Sequence, residues 1–327
     1  MWKIHAHTLI DRPDRRPTPR QVYSREGPIK NGFQSPQGLW MTRNENLLIV
    51  DSANHRIMKY DLIVGDIRRM AGKDIQGYAS DLLAKPSSVI YHKSSKSYII
   101  CDYHNRRVLQ WFRRGKSSSK TIISNIACFG LAVDEKGYIY VSDTDRHEVR
   151  RYRVGKKHGK LVAGGGGQGG RLNQLNNPTY ICIGHDQSVY ISDSHNNRVV
   201  RWDKGSRSGV VVAGKNRNGI GKDLKQLNCP AGVLVDQLNC PAGVLVDQLN
   251  TVYVADHWNH RVMRWPANGK PDIIAGDRFL SGSDSNKLTC PEGLAFDKDG
   301  NLYVADSNNN RIQRFRRETT SNMFSLR

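Results

Sequence analysis

Apolar residues in this chain come in short stretches where hydrophobic and polar positions alternate, each bounded by Gly, Asp, Asn or Pro. A period of two predicts half-buried strands, and the polar clusters predict turns between them. Near the C-terminus the unit is clear: an apolar run over 291–296, a turn at Asp297–Gly300, an alternating run over 301–306 and a third over 311–315. Earlier copies add a fourth run ending in Ala-Gly, at Gly72, Gly164, Gly214 and Gly276. The second run of each unit ends in Asp, at Asp51, Asp102, Asp143, Asp193, Asp256 and Asp306, with spacings of 51, 41, 50, 63 and 50 residues. Short strands repeating at roughly 40–50 residues predict a β-propeller. The expected fold is all-β: six blades, each a four-stranded antiparallel sheet.

In five of the six units Asn and Arg follow the Asp three and five residues later. These sets are Asp51, Asn54, Arg56; Asp102, Asn105, Arg107; Asp193, Asn196, Arg198; Asp256, Asn259, Arg261; and Asp306, Asn309, Arg311. Unit three departs, with Arg146 and Glu148 at those places and Cys128 where the others open on Pro. A guanidinium fork can bond a carboxylate and turn carbonyls together, so the set is expected to hold each blade's hairpin in shape. Pro-x-Gly-Leu/Val, Tyr-Val-Ala-Asp and Asn-x-Arg-Val/Ile, taken together, resemble the NHL repeat over about residues 35–316. Unit two carries Ser87-Ser88 in place of x-Gly.

The last unit lacks a fourth strand after Phe315. A closed ring removes exposed strand edges, so an N-terminal strand is expected to complete the last blade. Arg20–Ser24 is the first choice and Met323–Leu326 the competitor. The domain reading is a basic, partly disordered segment over 1–19, the propeller over 20–316 and a tail over 317–327. Residues 226–236 recur unchanged as 237–247, and removing one copy turns the 63-residue spacing into 52. The second copy leads directly into Thr251–Val254 and is expected to supply the inner strand. The six cysteines form no Cys-x-x-Cys pair and are expected to be reduced core thiols.

Charge changes the picture more than composition does. The formal net charge is +20, and residues 103–160 carry 14 Lys/Arg against 5 Asp/Glu. Arg113, Arg114, Arg150, Arg151, Arg153, Lys156, Lys157 and Lys160 form a candidate anion or nucleic-acid patch, which would attract phosphate through counterion release. The aromatics of the third strands (Tyr60, Trp111, Tyr152, Trp202, Trp265, Phe315) recur in every unit, which favours packing between blades over base stacking. No apolar stretch approaches the ~18–20 residues that span a bilayer. The opening residues lack a signal-peptide core, and the one Asn-x-Thr, at Asn177, is disqualified by Pro178. The expectation is a cytoplasmic monomer.

The resemblance implies two kinds of partner, since some NHL proteins bind RNA through a basic face and others bind proteins. Its ligase branch adds a RING with clustered Cys and His, which is not in this sequence, so a recognition ring for such a system is the most that branch implies. A related propeller lyase holds zinc on inner-strand histidines, one of them directly after the opening Pro. Here those positions are Gln37, Ser87, Phe129, Thr179, Ala231 (or Ala242) and Glu292. The histidines fall instead in the turns, at His55, His104, His147, His195, His257 and His260. Glu292 is the one carboxylate at the inner-strand level, too few for a hard-cation cage. No Gly-x-Ser-x-Gly motif is present, and Gly164–Gly170 lacks the strand-loop-helix context of a phosphate loop. The sequence therefore predicts no catalytic residue, metal or cofactor. It predicts a non-catalytic scaffold for a macromolecule, protein first, with an RNA-binding ring and a metal-dependent channel lyase or hydrolase as alternatives.

Overall fold

Val, Ile, Leu and Tyr on alternate positions give each strand one face per neighbouring blade, and both faces are covered. A computed structural model describes residues 7–10, 32–112, 118–214, 223–235, 251–277 and 280–317. It contains six four-stranded antiparallel sheets. Blade one is Pro36–Met41, Asn46–Asp51, Arg56–Asp61 and Ile67–Gly72, in order from the axis outward. Blades two to five repeat this order from Ser88, Cys128, Pro178 and Val233. Blade six is Pro291–Phe296, Leu302–Asp306 and Arg311–Phe315, completed on its outer edge by His7–Ile10.

An N-terminal strand thus closes the ring, but it is His7–Ile10 rather than Arg20–Ser24. His7 pairs with Arg314 and Thr8 with Gln313, whose side chains lie 3.0 Å apart. Thr8 and Ile10 are β-branched, which suits a strand, and half-buried Leu9 packs on the core shared by blades six and one. Residues 20–24 and 323–326 lie outside the described residues.

The core sits between blades. Leu48, Val50 and Ile57 of blade one pack on Val89, Ile100 and Trp111 of blade two. Tyr303 and Ile312 of blade six meet Leu47, Ile49 and Met58 of blade one. The recurrent aromatics belong to these layers: Tyr60, Trp111, Tyr152, Trp202 and Phe315 are all buried and Trp265 partly so.

Two expectations are corrected here. The inner strand of blade five is Val233–Val235, from the first of the two identical copies, pairing with Val252–Val254. Identical sequences offer identical side chains, so local chemistry could not rank them. Cys101 and Cys128 are joined in a disulfide and not reduced. They lie on adjacent blades with Cα atoms 5.5 Å apart, within bridging range. Their separation of 27 residues gives no hint of that contact.

Candidate functional site at the turn face and channel end

Every second strand ends at one face of the ring, where the chain turns into the third strand and where each outer strand crosses to the next blade. The leading Asp organises that face. In blade one an Asp51 carboxylate oxygen accepts the Gln34 N–H at 2.8 Å, and the other accepts Asn54 and the Arg56 Nε at 2.9 and 2.7 Å. The same guanidinium donates to the Gly32 carbonyl at 2.7 Å. Blades two, four, five and six repeat this: Arg107, Arg198, Arg261 and Arg311 each bond their Asp at 2.7–2.8 Å and carbonyls of the segment entering their own blade. All five Asp–Arg pairs are buried. The motif is fully occupied inside each blade and leaves no ring of Arg open to a ligand.

The residue just before each third strand has left-handed backbone and carries a second device. His55, His147 and His260 accept, through Nδ1, the N–H of Lys85, Asn177 and Cys290 in the next blade, at 3.0–3.1 Å. Asn197 and Asn310 use their side-chain oxygens the same way on Cys229 and Ser35, both at 2.8 Å. Blade two has Arg106 there, which reaches blade three as an ion pair with Asp145. These turn residues staple neighbouring blades together. The sequence placed these histidines in turns without a role; the available signal was His or Asn at one fixed place. Burial holds the His55 imidazole below its ordinary pKa, keeping Nδ1 free to accept.

Gly38, Gly130, Gly232 and Gly293 stand at the inner-strand entrance because neighbouring strands nearly touch there. A Cβ on Gly293 would lie 2.3 Å from the Gln37 carbonyl, and one on Gly130 would lie 2.5 Å from that of Thr179. Blade four breaks the rule with Tyr180. Its ring meets Phe129 edge-on at 5.3 Å, and its hydroxyl donates across the axis to the Ser87 carbonyl of blade two at 3.2 Å. Tyr180 therefore spans the end of the channel. The sequence reading noted Ser87-Ser88 but passed over Thr179-Tyr180, which carries the same signal.

Beside Tyr180 lies Glu292. It is 8% exposed; Oε1 is 3.8 Å from His257 Nδ1, and Oε2 has no hydrogen-bond partner. Burial raises its pKa to about 8, so it is a neutral acid at pH 7. Burial, with Glu292 nearby, also pushes the Tyr180 hydroxyl well up. His257 donates Nδ1–H to the Pro291 carbonyl at 3.2 Å, and burial lowers its pKa. A neutral carboxyl can donate a proton, and the neutral His257 imidazole, its Nδ1–H engaged, keeps an Nε2 lone pair able to accept one. Among the described residues no three His, Cys, Asp or Glu gather as a metal-binding group.

The turn face is also where apolar side chains meet solvent. Of the nine large hydrophobics exposed among the described residues, Ile75, Tyr78, Leu172, Trp258 and Leu280 are on loops of this face. Ile63 and Val64 lie on the opposite face, and Leu161 and Val210 on outer strands.

The described members of the candidate basic patch fall into two groups. Arg150 bonds Glu148 at 2.6 Å and the Gly159 carbonyl at 3.0 Å. Arg151 lies 4.7 Å over the Tyr138 ring. Arg153, Lys156, Lys157 and Lys160 are exposed on the hairpin between the last two strands of blade three, at the far face. Arg113 and Arg114 lie outside the described residues.

Three comparisons bear on this architecture. The family model for the NHL repeat matches residues 238–264 and 288–315. Its first match takes the second copy of the duplicated segment, contiguous with the following strand, where the structure uses the first. No match to a curated protein was found. Solved structures similar in fold include a Bacteroides thetaiotaomicron protein of unknown function, with TM-score 0.69 and 12% identity over 95% of this chain and 75% of that one. An auxiliary nutrient binding protein of the same organism gives TM-score 0.65 and 17% identity over 87% and 69%. A streptogramin B lyase gives TM-score 0.57 and 10% identity over 88% and 95%. At such identities the likeness is one of fold.

Proposed function

This chain is a six-bladed β-propeller of the NHL-repeat type, and on that premise we propose that it is a non-catalytic scaffold binding a protein on its turn face. The observation that carries this reading is the clustering of exposed apolar residues there, with Trp258 54% and Tyr78 64% exposed. Aromatic side chains of this kind anchor protein interfaces, and rigid loops lower the ordering cost of binding. The buried triads and inter-blade staples supply that rigidity. Tyr180 across the channel end directs recognition to the rim of the face rather than to a deep pocket.

The test places a photo-crosslinking amino acid at Trp258 or Tyr78, and at Ile63 on the far face, in the full chain within its native cells. A discrete protein adduct at the first two positions and none at Ile63 is expected. Equal labelling at all three, or none at the turn face, rejects the reading. A second reading, RNA binding, draws on the charge of +20. A salt titration of RNA binding with the Lys156, Lys157 and Lys160 charges removed separates the two, because phosphate contacts steepen the salt dependence.

A further inference from the structure

The two faces of the ring differ in charge, and the far face is the basic one. Among the described residues, its loops and strand ends expose fourteen Lys or Arg against four Asp or Glu. Every blade contributes: Arg43, Lys96, Lys157, Lys204, Lys270 and Arg316 stand there in blades one to six. The half-buried and buried carboxylates of these loops are engaged close by. Asp134 and Asp297 accept N–H groups of their own turns at 2.8 Å, Asp272 pairs with Arg264 at 2.8 Å, and Glu45 holds Lys298 at 3.0 Å. Counting every such carboxylate as well, cations still lead fourteen to ten. On the turn face the exposed count is only six to four.

One far-face hairpin breaks the polar pattern. Between the third and fourth strands of blade one, Ile63 and Val64 are 75% and 76% exposed, more than any other large hydrophobic described. The equivalent hairpins carry Lys156-Lys157 in blade three, Lys204-Gly205-Ser206 in blade four and Ala267-Asn268-Gly269 in blade five. A fixed turn holds the two aliphatics outward. The Asp61 carboxylate accepts the Ile63 and Val64 N–H groups at 3.0 and 3.2 Å, and the Asp61 carbonyl accepts that of Gly65 at 2.8 Å. Leu62 is half-buried on the core, and its N–H donates to the Glu45 carbonyl at 3.0 Å. A single exposed aliphatic is ordinary. Two adjacent ones on a rigid tip, set in a basic surface, make an insertion device.

We propose that the far face docks on an anionic lipid bilayer, its basic loops against the headgroup phosphates and Ile63 and Val64 among the acyl chains. A basic surface is drawn to an anionic leaflet, aliphatic burial adds a short-range attachment, and stable anchoring takes two such signals. Loops from all six blades end on this one broad face, which suits a flat membrane better than a polymer strand. Nucleic acid would answer the charge but not the aliphatic tip. The exposed aromatics that could stack on bases, Tyr78 and Trp258, are on the turn face. Docked this way, the ring turns its other face to solution, and the inference stands whether or not a protein binds there.

Co-sedimentation of the full chain with vesicles tests this, using phosphatidylcholine alone or with about one part in three phosphatidylserine. Binding to the mixed vesicles only is expected, weakening as salt rises from about 0.05 to 0.25 M. Ile63→Ser with Val64→Ser should weaken it at least about tenfold at unchanged Tm, and Lys156→Glu with Lys157→Glu by at least about as much. The matched charge change on the turn face, Arg171→Glu with Lys225→Glu, should not. No binding to the mixed vesicles, equal binding to both kinds, or the same affinity in both charge variants overturns the proposal. Full affinity in the Ile63 and Val64 variant overturns the inserted tip. A single-stranded RNA oligomer that strips the chain from the vesicles, and binds the Ile63 and Val64 variant as tightly as the original chain, assigns the face to nucleic acid instead.

Discussion

Blade five and blade three perform the same turn with opposite chemistry. In blade five Asp256, Asn259 and Arg261 are buried, and the guanidinium reaches back to the carbonyls of Asp223 and Gln226 at 3.0 and 3.1 Å. In blade three Arg146 lies 3.8 Å from Asp143 with its side chain 59% exposed, and Glu148 occupies the guanidinium's place. Asp143 accepts the N–H groups of its own turn, Asp145 and Arg146, each at 3.2 Å. The difference lies upstream. Blades two, four, five and six are entered through long crossovers, such as 73–87 and 165–177, whose carbonyls need a donor. Blade three is entered through Asn125, Ile126 and Ala127 alone. With no crossover to hold, a buried guanidinium would lack partners, so the chain does without one. The triad serves the crossover more than the hairpin it sits in.

The sharpest way to break this comparison is to remove the guanidinium at each site. Arg261→Ala strips a buried carboxylate of its countercharge and the Asp223 and Gln226 carbonyls of a donor, and should cost about 3–5 kcal/mol. Arg146→Ala should cost less than about 0.5 kcal/mol. Chemical denaturation of both variants measures the contrast; equal losses would refute it.

The channel end gives the next largest effect. The folded state keeps Glu292 protonated up to about pH 8, whereas the unfolded chain releases that proton near 4.5. The native state therefore binds more protons across this window, and stability must fall as pH rises through it. The loss between pH 5 and 8.5 should approach about 4 kcal/mol, at 1.36 kcal/mol per pH unit. Glu292→Gln should flatten the profile and be the more stable protein at pH 8.5. Parallel Tm profiles for the two proteins would rule the idea out.

The staples supply the smallest effect, with the opposite sign. His55 has a lowered pKa in the folded state, so the native protein binds fewer protons there than the unfolded chain, and stability falls as pH drops below 6.5. Protonating Nδ1 removes its acceptor role toward Lys85, a loss of about 1 kcal/mol. His55→Asn copies the arrangement at Asn197 and Asn310, and should reduce the drop in Tm between pH 7 and 5. An unchanged drop would mean that the contact with Lys85 carries no stability.

Much of this was legible in the chain. Strand period and the recurring Asp gave six blades of four strands, and the 41-residue spacing before Asp143 already recorded the missing crossover. The substitutions at Arg146 and Glu148 and that short spacing are one fact seen twice. What stayed hidden depended on distances between blades. The bridge between Cys101 and Cys128, the reach of Tyr180 to Ser87 and the unpartnered Glu292 oxygen all join residues whose sequence positions say nothing of adjacency. His7–Ile10 was missed because four residues make a weak strand signal, and its partner edge lies some 300 positions away.

The doubled eleven-residue segment has a genetic consequence. Excising 226–236 or 237–247 yields one and the same polypeptide, so truncation can never reveal which copy a cell's protein uses. A harmful point change in either copy also leaves an intact spare a few residues away. Blade five, alone in the ring, carries its own replacement part.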